Sequence, residues 1–187
     1  NDFDIITSDF TANCWVFLSE SGTAHSGTHG QYIFSKGGGS AEGWHINIKP
    51  NLGVYFVVDK DPSDSAGAEN ANSGAGGVTV GKWHMITATV DWNATIALYI
   101  DGEFVDSTAF SSMTDVDSGS VLEMVNWHAN YTNGTLNGTA TEFSIFKGVE
   151  FDKAEVRELY NDGKALDAAT HSASGNLKGY WRNNGLS

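Results

Sequence analysis

The chain has 187 residues, 40% hydrophobic and 12% aromatic with only 18% charged, which is enough apolar material for one domain-sized core and excludes intrinsic disorder. Ten basic against 23 acidic residues leave a net charge of −13, so nucleic acid would be repelled, and no basic patch is expected to dock the chain on a membrane surface. No apolar run approaches the roughly 18 residues that a membrane helix requires.

Glycine occurs 22 times and proline twice, and short β-branched or aromatic runs are broken throughout by Gly, Asn, Asp and Ser, an all-β signature. In chain order the expected strands are Ile5–Thr7, Phe10–Ser19, Gln31–Ser35, Gly43–Ile48, Gly53–Asp59, Trp83–Asp91, Thr95–Ile100, Glu103–Ala109, Ser120–Trp127, Thr141–Phe146 and Leu177–Arg182. Cys14 lies in the apolar run Cys14–Leu18 and reads as a buried, inert thiol; as the one cysteine it forms no internal disulfide. Asp101-Gly102 between Leu98–Ile100 and Phe104-Val105 predicts a type I′ hairpin, because both central residues need positive φ. Lys60–Gly77 is rich in Asp, Ser, Gly, Ala and Asn, has no apolar period, and reads as a long loop.

One helix is expected, Asp152–Asp162. Asp152 caps it, Glu155 reaches back three residues, Phe151 and Val156 form a hydrophobic staple, and Gly163 stops it. Many short strands with one late helix predict a two-sheet sandwich.

Phe10–Val16, Tyr32–Gly37, Gly81-Lys-Trp-His-Met-Ile-Thr-Ala-Thr-Val-Asp91, Leu98-Tyr-Ile-Asp-Gly-Glu103, Ala154–Asn161 and Gly179-Tyr-Trp-Arg182 follow one another in a familiar order. As a set they resemble the laminin-G-like, pentraxin-like branch of the concanavalin A-like lectin/glucanase superfamily. The resemblance runs from about Phe3 to Arg182. It implies an all-β jelly-roll sandwich of two curved antiparallel sheets with one short helix near the C-terminus, residues 1–187 forming a single domain. The strand-like opening and the tail Asn183–Ser187 lead us to expect a domain excised from a larger multidomain surface or virion protein, with neighbouring domains as partners.

Fold alone does not decide function, so the residues must. The glucanase branch carries paired acids on one strand, and Glu150-Phe-Asp152-Lys-Ala-Glu155 is a literal match. The helix-capping pattern explains all three acids without catalysis, and the six histidines form no metal-site spacing, so no enzyme is expected. A glycoside hydrolase would require Glu150 and Asp152 on a strand facing a cleft.

The resemblance implies calcium ligands in the loops Ser21–Phe34 and Met124–Thr141, but neither loop holds an acid. Acids concentrate instead at Asp59, Asp61 and Asp64, the residues that would hold Ca2+ in this chain. Sugar sites combine an aromatic platform with amides that pair hydroxyls. Asn126-Trp-His-Ala-Asn-Tyr-Thr-Asn133 has that content: Trp127 and Tyr131 would stack while Asn126, His128, Asn130 and Asn133 hydrogen-bond. The alternative is that Trp127 ends a strand and packs inward. Trp44, His45 and Tyr55 are secondary candidates, whereas Trp15, Trp83 and Trp181 are expected in the core. The sequons at Asn93, Asn130, Asn133 and Asn137 read as incidental. The expected role is a non-catalytic lectin-like or adhesion domain of an extracellular, cell-surface or virion protein, such as a phage or bacterial surface protein, binding a glycan or host-surface polymer. The alternative is a structural or assembly module with no small ligand.

Overall fold

The computed structural model describes residues 3, 8–21, 30–37, 43–59, 68–92, 94–109, 116, 120–126 and 134–183. Among the described residues, eleven strands form two antiparallel sheets. The six-stranded sheet runs, in spatial order, β11 (Leu177–Trp181), β10 (Gly138–Lys147), β1 (Phe10–Leu18), β6 (Trp83–Asp91), β7 (Thr95–Ile100) and β8 (Glu103–Ala109). The five-stranded sheet runs β5 (Ala68–Asn72), β4 (Val54–Asp59), β3 (Gly43–Ile48), β2 (Gln31–Lys36) and β9 (Leu122–Met124). The jelly-roll sandwich expected from the residues is what forms, with α1 (Lys153–Tyr160) as its short late helix.

Period-2 alternation explains the packing. Phe10, Ala12, Cys14, Val16 and Leu18 of β1 face Ile33, Phe34, Trp44, Ile46, Ile48 and Phe56 across the sandwich, in one core between the sheets. The Cys14 thiol is fully buried and burial pushes its pKa up, so it packs as a small hydrophobe. A second cluster covers the outer face of the six-stranded sheet, where Trp15, Met85, Tyr99 and Phe146 meet Phe151, Val156 and Leu159. Asp101 (φ 52) and Gly102 (φ 79) form the tight β7–β8 turn.

Several boundaries differ from the sequence reading. Ala68–Asn72 is an edge strand inside the segment read as loop; only Ala71 is buried, so the strand carries no readable apolar period. β2 continues through Lys36, whose buried ammonium donates to the Ser120 carbonyl at 2.7 Å. β9 is only Leu122–Met124 within the expected Ser120–Trp127. The helix ends at Tyr160, because Asn161 (φ 47) and Asp162 (φ 55) take the left-handed conformation before Gly163 is reached. The expected strand Ile5–Thr7 lies outside the described residues.

Candidate functional site

The outer face of the five-stranded sheet carries a row that runs across four strands. Tyr32 of β2 pairs with Asn47 of β3, Asn47 with Tyr55 of β4, and Tyr55 with Asn72 of β5. Directly opposed residues share a face. The neighbours Ile46, Phe56 and Ala71 lie in the core, so aromatic and amide side chains alternate along the outward side of the sheet. A parallel row holds Glu123, Ser35, His45, Val57 and Asn70. The rings of Tyr32 and His45 lie 5.1 Å apart at 52°, and the Lys49 ammonium sits 5.1 Å from the centre of the Tyr55 ring.

Asn47 is the unusual member. Its side chain is fully buried, yet neither its amide oxygen nor its nitrogen makes a hydrogen bond of good geometry. The Tyr32 phenol beside it is pushed up to about 12 by burial, the amide opposing the shift.

Of the sequence candidates for a sugar site, Asn126 is described; Trp127, His128, Asn130, Tyr131 and Asn133 lie outside the described residues. The anchoring of that segment is nonetheless clear. Val125 N–H donates to the Ile33 carbonyl and Tyr32 N–H to the Gly134 carbonyl, each at 2.9 Å. Leu136 N–H donates to the Val125 carbonyl, and Asn137 N–H to the Gln31 side chain. The chain therefore leaves at Asn126 and returns at Gly134 beside Tyr32, at the end of the aromatic–amide row.

Asp59 ends β4, paired with Gly43 and Ala68; Asp61 and Asp64 lie outside the described residues. Four strand positions separate Asp59 from Tyr55, and three strand spacings separate β4 from β9. Asp59 is therefore on the order of 20 Å from Asn126. Among the described residues, no group of three or more His, Cys, Asp or Glu side chains could hold a metal ion.

The other aromatic expectations divide. Trp44 is 1% exposed in the core against Phe10 and Phe34, which removes it as a ligand candidate because β3 turns it inward. His45 and Tyr55, its outward neighbours, stay half-buried. Trp15 is buried as expected, but Trp83 is 40% exposed: it opens β6 beyond the reach of α1. His84 is buried; its Nδ1 lies 2.8 Å from Asp101 Oδ2 and its Nε2 accepts from Thr79 N–H at 3.0 Å, a pairing that fixes the proton on Nδ1.

Glu150 and Asp152 do not lie on a strand. Glu150 and Asp152 precede α1, Asp152 accepts from Ala154 and Glu155 N–H, and the Glu155 side chain returns to Asp152 N–H in a complete capping box.

Residues 1–157 match the model of a laminin-G-like family described as the concanavalin A-like lectin/glucanases superfamily. The chain belongs to that family. It is 24% identical over 184 residues to botulinum neurotoxin type G of Clostridium botulinum, covering 97% of this chain and 13% of the toxin. Among solved structures it is similar to the botulinum neurotoxin serotype C1 binding domain, with TM-score 0.60 and 18% identity over 84% of this chain and 37% of that one. The binding domain of botulinum neurotoxin DC in complex with SialylT aligns with TM-score 0.61 and 18% identity over 88% of this chain and 38% of that one. The chain thus spans little more than a third of those binding domains, and at these identities the likeness shows the shared sandwich.

Proposed function

We propose that this laminin-G-like domain is a non-catalytic carbohydrate-recognition module that binds a cell-surface glycan as part of an extracellular or virion protein. One observation carries this reading: the row Tyr32–Asn47–Tyr55–Asn72, whose Tyr55 and Asn72 stay partly exposed, with both ends of the Asn126–Gly134 segment pinned beside its buried end. Aromatic faces cover the apolar C–H side of a sugar ring, and amides donate and accept towards adjacent hydroxyls. Tyr55 and Asn72, both partly exposed, offer one of each. Trp127 and Tyr131 supply further stacking from the adjoining segment, and Asn126, His128, Asn130 and Asn133 further hydrogen bonds. Calcium, where it binds, is held by Asp59, Asp61 and Asp64. The likeness to a toxin binding domain solved with SialylT supports a glycan as the class of partner.

A glycan array screened with and without calcium tests this, with thermal melts on the same samples. Trp127→Ala and Tyr55→Ala are expected to abolish retention on the hit glycans while leaving the melting temperature within a few degrees. Absence of hits, or hits untouched by both substitutions, overturns the assignment. Calcium-dependent hits lost in Asp59→Asn would move the site to the acidic end.

A further inference from the structure

On the opposite side of the sandwich, the outer face of the six-stranded sheet is only partly covered. Two cross-strand rows lie at its end: Trp83 with Phe17 and Thr139, then Met85 with Trp15 and Thr141. The last turn of α1 closes over the second row, where Tyr160 stacks on Trp15 at 5.6 Å and 9°. The helix then stops, and Asn161, Asp162 and Gly163 follow with φ of 47°, 55° and 82°. This backbone is costly for two non-glycine residues in succession. The first row stays open, leaving a cleft of about 230 Å³ lined by Trp15, Trp83, Thr141, Gly163 and Ala165.

We propose that this cleft is a second carbohydrate site, seating one neutral pyranose ring against the Trp83 indole. It is independent of the row on the five-stranded sheet. Trp83 is 40% exposed, and Phe17 braces it at 5.7 Å and 54°, so an apolar platform is held ready with little rotamer freedom left to lose. The volume falls below the roughly 300–1,000 Å³ of drug-sized ligand sites, which suits a single ring rather than an extended chain. Thr141 Oγ1 accepts from Asn183 N–H at 3.1 Å, which leaves its hydroxyl proton to donate to a ligand oxygen. The exposed Asp162 beside Gly163 and the net charge of −13 select against sulfated or otherwise anionic sugars.

The test follows the indole N–H signals of the six tryptophans by NMR, with Trp83 assigned through Trp83→Phe. The probes are the methyl glycosides of glucose, galactose, mannose and N-acetylglucosamine. At least one glycoside is expected to shift the Trp83 signal saturably. Trp83→Ala and Ala165→Trp should each weaken that binding about tenfold or more. Ala165 is exposed, so its replacement fills the cleft without touching the core and keeps the test valid if Trp83→Ala lowers stability. Tyr55→Ala should leave the Trp83 response unchanged, which separates this site from the one on the five-stranded sheet. No shift with any of the four probes, or wild-type binding by Ala165→Trp, overturns the proposal.

Discussion

The two sheets put their outer faces to different uses. The six-stranded sheet is closed over most of its width by the chain itself: Phe151, Val156 and Leu159 are buried on Phe146, Met85 and Tyr99, and His171 lies flat on Phe151 at 4.5 Å and 16°. The five-stranded sheet has no helix packed on it among the described residues, and its outward row alternates tyrosine and asparagine. On the closed face the α1 cap and the Asn13–Thr87 hydrogen bond at 2.7 Å are made internally. On the other face His45 and Tyr55 stay partly exposed.

The sharpest way to break this contrast is to open the closed face. Phe151→Ala removes the side chain that anchors the start of α1, and is expected to cost about 3–5 kcal/mol, read as a fall of roughly 10 °C in Tm. Tyr55→Ala, by contrast, should abolish binding with little change in Tm. Asp152→Ala strips the N-cap and should cost about 1 kcal/mol in chemical denaturation, since two backbone N–H groups lose their acceptor.

Acid gives a smaller, conditional effect. Burial pushes the Asp101 carboxyl up. The hydrogen bonds from His84 and Met85 N–H, with the charges of His84 and Lys82, outweigh that and hold it below its ordinary value. A carboxylate depressed in the folded state stabilises above its unfolded pKa, and that stability is lost as pH falls through the folded value. Asp101→Asn, which tolerates the φ of 52°, should therefore flatten the loss of stability below about pH 4 in acid titrations followed by circular dichroism. The smallest effect belongs to Glu103. Hydrogen bonds from Arg157 and Lys153 hold its carboxyl down at about 2, but the cluster is exposed to solvent. Glu103→Gln should leave Tm unchanged within error, because exposed ion pairs are screened.

Much of the fold was legible from local signals. β3, β6, β7 and β8 have the boundaries expected from alternation, and the β7–β8 turn carries Asp101 and Gly102 at the positive φ its type requires. The capping box was readable from Asp152 and Glu155, since capping needs only side chains three residues apart. β5 was hidden because an edge strand with one buried residue has no apolar period to read. The anchoring of Asn126 and Gly134 at Tyr32 was equally invisible, as it rests on hydrogen bonds between residues some hundred positions apart.

The sequence by itself determined the class of fold, the hairpins and the helix, all of which follow from periodicity and backbone preference within a few residues. Only the tertiary structure decided which aromatic residues face water. Strand alternation puts Trp44 and His45 on opposite faces of β3 without saying which face the second sheet covers. Packing chose Trp44 for the core, and the end of α1 at Tyr160 left Trp83 half open where the sequence reading had buried it. The physical reason is that burial belongs to whatever element arrives from a distant part of the chain, and its reach is set by where that element stops.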